Sequence, residues 1–160
     1  KTTLASAVVD DLKASGLAVG GILAPGTFRN GRRHSFDLLD LRTGERTPFA
    51  SRERSPGWSQ LGVFWIAPDG PSRGRAALSP EPAEVIVVDE VGPWELQGSG
   101  WCAELDALAR RDVALLLTVR RECLTAVIER WRLEDAAVFE VGEADPALVA
   151  LALRPDGLTA

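Results

Sequence analysis

The chain has 160 residues, 46% of them hydrophobic and 26% charged, which fits one compact domain with a sizeable core and excludes a disordered chain. Its formal net charge of -5 gives no electrostatic basis for nucleic acid or an anionic membrane as the principal partner. Two cysteines, Cys102 and Cys123, are too few for a disulfide framework and suggest a cytoplasmic protein, and no apolar run approaches the roughly 20 residues that span a bilayer.

In chain order, "KTTLASAVVDDL" sets Leu4, Val8 and Leu12 at fourfold spacing, with Ala5 and Val9 beside them. That spacing predicts an amphipathic helix of about three turns, ended near Gly16. "LAVGGILAP" predicts a buried strand closed by Pro25 and Gly26, and "RNGRRH" reads as a solvated basic tip. "SFDLLDL" and "RTPFAS" on either side of "RTGE" predict a β-hairpin, followed by a surface loop, "SRERSPGWSQLG", and a short strand, "VFWIA". "PDGPSRGRAALSPEP" is a Pro/Gly-rich connection with room for a turn of helix. Then "AEVIVVDE" predicts a buried strand, "WCAELDALARR" a helix, "VALLLTV" a strand, "CLTAVIERWR" a helix, "AAVFEV" a last strand and "PALVALAL" a closing helix. Unbroken apolar strands alternating with helices predict an α/β fold with a mostly parallel sheet covered on both faces.

In such sheets ligands sit beyond the C-terminal ends of the strands, and "VIVVDE" delivers Asp89 and Glu90 to that edge. In a phosphate-handling enzyme the first acid can hold magnesium and the second can orient the attacking water; acids that simply solvate a strand end would leave the same pattern. Lys1 and Thr2 at the mouth of a helix match the end of G-x-x-x-x-G-K-[ST], where lysine reaches the β- and γ-phosphates and the hydroxyl binds magnesium. A lysine–threonine pair alone is weak. Joined to an Asp-Glu strand tip in an alternating α/β chain, it predicts nucleotide binding. The chain has no methionine, so Lys1 is expected to be an internal position of a longer protein.

"KTTLASAVVDDLKASGLAVGGILAP" together with "VIVVDEVGPWEL" resembles the small nucleoside triphosphatases first described from thermophiles, also called cancer-related nucleoside triphosphatases. The specific part is "DEVGPWEL", Asp89 to Leu96, where a glycine and a second glutamate follow the acid pair. The resemblance runs from Lys1 to about Val141, loosely over 51–82. It implies a Rossmann-like P-loop NTPase fold with a β-hairpin excursion, magnesium as cofactor, and hydrolysis of nucleoside triphosphates with little base preference. Matched position by position, Lys1 is the phosphate-binding lysine and a catalytic residue, Thr2 the magnesium hydroxyl, Asp89 the second metal ligand and Glu90 the catalytic base. Thr3 joins Lys1 and Thr2 as a nucleotide-binding residue, and Glu95 matches the second glutamate without an assigned role. The chain departs from the family in lacking the Gly-rich loop and its strand, so residues 1–160 are expected to form one domain without its first strand and the glycine part of the P-loop.

"LLLTVRRE" places Thr118, Arg120 and Arg121 past another strand tip. Arg120 is the third catalytic candidate, for charge in the transition state, against the alternative that these arginines pair with Glu122 or Glu129. His34 has no second histidine or cysteine nearby, so metal ligation is not expected. Trp65 and Trp101 read as core, as do both cysteines, whereas Trp94 could face nucleotide or a partner. The leading reading is a magnesium-dependent nucleoside triphosphatase with a nucleoside triphosphate as ligand. The alternatives are a nucleotide-binding adaptor that acts slowly through a protein partner, and a small-molecule kinase.

Overall fold

The computed structural model describes residues 1–79 and 82–154. Helix α1 (Thr2–Ala14) turns Ala5, Val8, Val9 and Leu12 inward, as the fourfold spacing requires, and Gly16 follows it at φ +85°, in the left-handed region that ends a helix. Six strands come next: β1 (Val19–Leu23), β2 (Gly26–Arg29), β3 (Arg32–Asp40), β4 (Arg46–Ser51), β5 (Ser59–Leu61) and β6 (Phe64–Ile66). Helix α2 (Gly70–Ala77) leads to β7 (Val85–Val91), short α3 (Pro93–Leu96), α4 (Cys102–Leu108) and β8 (Ala114–Val119). A 3-10 turn at Arg121–Cys123, α5 (Leu124–Trp131) and α6 (Pro146–Ala152) complete the described chain. Asp145 caps α6, its side chain accepting the Ala147 N–H at 3.0 Å.

One sheet takes all eight strands, ordered β5-β6-β4-β3-β1-β7-β8, with β2 beside β3. Strands β1, β7 and β8 run parallel, Val19 opposite Val85 and Val85 opposite Ala114. The expected hairpin, β3 with β4, is antiparallel and grows into a wing that also takes in β2, β5 and β6. Alternation along β7 divides the core. Val85 and Val87 pack with Val8, Leu12, Val149 and Ala150 of α1 and α6, while Ile86 and Val88 pack with Leu105, Leu108, Val127 and Trp131 of α4 and α5. Burying both faces is why this strand is an unbroken β-branched run. Phe36, Phe49 and Trp101 touch in sequence, centroids 5.5 and 5.7 Å apart, and tie the antiparallel wing to α4.

Three segments differ from expectation. Gln60 and its neighbours in the expected surface loop form β5, and the Pro/Gly-rich connection holds the eight-residue α2, although Pro80 and Glu81 of that connection lie outside the described residues. "AAVFEV" is not a strand. Its Val138, Phe139 and Val141 are exposed, and with β8 it lines a cleft of about 720 Å³. Among the described residues β8 pairs with β7 alone, and the segment lies across the cleft from β8 without pairing to it, so its apolar alternation goes unused.

Candidate active site

The site forms where the tip of β7 meets the mouth of α1. In a regular strand Asp89 and Glu90 would point to opposite faces. Here the pairing with β8 shifts register between Val88 and Val91, and Glu90 takes φ +69°. For a residue with a Cβ, that left-handed backbone costs roughly 1–2 kcal/mol. The bulge turns both carboxylates towards the first residues of α1. Strain of this kind persists only where neighbours hold it.

Those neighbours are specific. Asp89 is 1% exposed, and its Oδ2 accepts the Thr2 hydroxyl at 2.7 Å and the Ala24 N–H at 3.0 Å. The Thr118 hydroxyl donates to Asp89 Oδ1 and accepts the Glu90 N–H at 2.9 Å, so one β8 side chain clamps both acids. Glu90 is half-buried between two cations, Lys1 Nζ at 3.3 Å from Oε2 and the Arg33 guanidinium at 3.1 Å from Oε1. Thr3 is exposed on the first turn of α1. That turn carries no acidic side chain, which leaves its amides and dipole free to face an anion.

Behind the bulge, Glu95 is 2% exposed and accepts the N–H of Gly92 at 2.9 Å and of Trp101 at 3.4 Å. Burial pushes its carboxyl above the ordinary range; the N–H groups of Gly92 and Trp101, its own N–H and the charge on Arg120 oppose that shift. Gly100, at φ +57°, leaves no room for a side chain, because a Cβ there would sit 2.2 Å from Glu95 Oε1. The residue without an assigned role thus holds the turn after the acid pair.

Lys1, Thr2, Asp89 and Glu90 are brought together. Arg120 is exposed, with its side chain against Gly92, two residues along the chain from Glu90. Arg121 is elsewhere, paired with Glu140 at 2.7 Å and not with Glu122 or Glu129. Trp101 is buried core, and Trp94 packs against the same cluster. His34 meets Glu53 at 3.3 Å, and both cysteines are free and buried. The expectation that "RNGRRH" is a solvated tip fails at its last two residues: Arg33 and His34 are partly buried inside β3, and Arg33 reaches Glu90. The expected strand began at Ser35, so nothing in the sequence set Arg33 apart from the tip, and spacing could not name a partner so far along the chain.

The NTPase family model matches residues 1–149. Nucleoside-triphosphatase THEP1 of Methanothermobacter thermautotrophicus is 32% identical over 145 residues, 88% of this chain and 80% of that protein. Nucleoside-triphosphatase THEP1 of Pyrococcus abyssi is 28% identical over 140 residues, 82% of this chain and 72% of that protein. The solution structure of a human cancer-related nucleoside triphosphatase superposes with a TM-score of 0.64 at 25% identity, covering 93% of this chain and 86% of that one. This chain belongs to the NTPase family, and its activity is the hydrolysis of nucleoside triphosphates.

Proposed function

We propose that the protein is a magnesium-dependent nucleoside triphosphatase whose reacting centre is Lys1, Thr2, Asp89 and Glu90, with Arg120 beside it. The observation that carries this reading is the 2.7 Å contact between the Thr2 hydroxyl and Asp89, alongside the Lys1–Glu90 ion pair at the same strand tip. The donor set suits a hard, oxygen-seeking cation. The Thr2 hydroxyl donates its hydrogen bond to Asp89, which leaves the hydroxyl's lone pairs for the metal, and Asp89 holds the negative charge behind it. Phosphate oxygens and water would complete the coordination of a magnesium ion held there. Magnesium bound there supplies neutralisation of charge on the β- and γ-phosphates.

The chain's own groups supply the rest. Lys1 leaves Glu90 for the phosphates and balances their charge, and the first-turn amides at Thr2 and Thr3 bind phosphate oxygens. Glu90 accepts a hydrogen bond from the attacking water and aligns it in line with the bond to the leaving diphosphate. The water oxygen bonds to the γ-phosphorus as the bond to the β–γ bridging oxygen breaks, and the water's proton passes by way of Glu90 to the phosphate formed, giving nucleoside diphosphate and inorganic phosphate. Arg120 meets the charge that spreads over the transferring group. Two free buried cysteines accord with a cytoplasmic setting, and no helix among the described residues is long and apolar enough to cross a membrane.

The test is Glu90→Gln in the full-length protein. It is expected to keep nucleotide affinity and lose most turnover; hydrolysis at the wild-type rate would remove Glu90 from the role of base.

A further inference from the structure

We infer that Arg33 is a positioning residue for hydrolysis, holding the Glu90 carboxylate in place while Lys1 serves the triphosphate. The inference rests on the reading of Glu90 as the water-orienting group. Each Glu90 oxygen faces one cation, Lys1 at 3.3 Å on Oε2 and Arg33 at 3.1 Å on Oε1. In the proposed reaction Lys1 cannot serve both the phosphates and Glu90. Once it turns to the phosphates, Arg33 is the cation that remains on the carboxylate.

Arg33 is anchored independently of any substrate. A second guanidinium nitrogen donates to the Ala24 carbonyl at 3.3 Å, and the guanidinium lies over the Phe36 ring at 5.1 Å and near the Phe28 ring at 6.0 Å. Gly26 provides the space, because a Cβ at that position would lie 2.9 Å from Arg33 Nε. The fork matters, since it holds the Ala24 carbonyl and Glu90 together from one rigid plane, which a lysine ammonium does with less geometric control. Glu90 needs such a partner because its strained backbone leaves the carboxylate at a strand tip, where its side chain is still 22% exposed. The antiparallel wing therefore has a task at the reacting end: β3 carries the arginine that fixes the base.

The experiment uses the full-length protein, with turnover of magnesium-ATP measured beside the affinity for a slowly hydrolysed ATP analogue. Misplacing the aligned group is expected to lower kcat of Arg33→Ala about 10²-fold. Analogue affinity should stay within about threefold of wild type, since the interaction matters in the transition state and not in binding. Arg33→Lys should recover part of the rate, and Gly26→Ala, which displaces the guanidinium without truncating it, should lose rate in the same direction. In the Glu90→Gln background, Arg33→Ala should add no further loss, because nothing is left to position. Thermal unfolding of each variant separates folding from function; if Arg33→Ala unfolds, Arg33→Lys and Gly26→Ala carry the comparison. Wild-type kcat in a folded Arg33→Ala beside a slow Glu90→Gln would overturn this inference alone, as would multiplicative losses in the double variant. A parallel fall of kcat and analogue affinity would overturn it as well, by making Arg33 a phosphate-binding group. Wild-type turnover of Glu90→Gln is the separate failure, that of the base assignment itself.

Discussion

Thr118→Val removes one hydroxyl from the clamp and changes the side-chain volume little. The hydroxyl donates to the buried Asp89 carboxylate and accepts the Glu90 N–H at 2.9 Å. A hydrogen bond to a charged group contributes about 1.5–3 kcal/mol, and a stranded N–H costs about 1–3 kcal/mol when buried. Glu90 is half-buried, so the lower end applies to its N–H, and the loss is about 3 kcal/mol in all. In a domain of this size 1 kcal/mol moves the melting temperature by roughly 2–4 °C, so Thr118→Val should melt about 6–12 °C below wild type. Thr118→Ser keeps the hydroxyl and should melt close to wild type. Scanning calorimetry of the three proteins is the assay, with denaturant midpoints as a check. Turnover of Thr118→Val should fall too, because the hydroxyl secures the strained backbone that aims Glu90. A Thr118→Val protein melting within about 2 °C of wild type would refute the clamp.

Glu95 gives a pH prediction with a definite sign. Burial raises its carboxyl in the fold, so its stabilising contribution is fully present below the ordinary glutamate value of about 4.3 and is lost as pH rises through the raised value. The stability of wild type minus Glu95→Gln, from urea unfolding at several pH values, should therefore fall as pH rises above that lower bound; a flat or rising difference would contradict it. Arg120→Ala should lower kcat about 10²-fold with little change in nucleotide affinity, while Arg121→Ala, whose charge sits on an exposed pair with Glu140, should leave kcat unchanged. Equal effects of the two in steady-state kinetics would dismiss Arg120 from the reaction. Gly74→Ala should destabilise by about 1–3 kcal/mol, since a methyl there would overlap the Trp101 ring at 2.1 Å; an unchanged denaturant midpoint would mean that the α2–α4 contact yields freely.

Much of this was legible in the chain because its signals are local. The fourfold apolar spacing of α1 and the two-sided burial of β7 each fix an element within a few residues, and both elements carry site residues at their ends. The same logic fails where structure depends on a distant partner. The Arg33–Glu90 pair needs the wing to fold back beside the β7 tip, and no spacing reports that closure. Val138, Phe139 and Val141 show the converse: a strand-like pattern that a cleft holds away from the sheet edge stays irregular. The left-handed backbone at Glu90 is also invisible in sequence, since glutamate gives none of the signal that glycine would.

The central claim is that Thr2 and Asp89 share one cation on the triphosphate. Its most direct measurement is calorimetric titration of a slowly hydrolysed ATP analogue into wild type and Thr2→Val, with and without magnesium. Magnesium should tighten binding to wild type by at least tenfold, about 1.4 kcal/mol, and that increment should vanish in Thr2→Val while metal-free affinity stays the same. A Thr2→Val protein that keeps the whole magnesium increment would place the cation elsewhere and contradict the account.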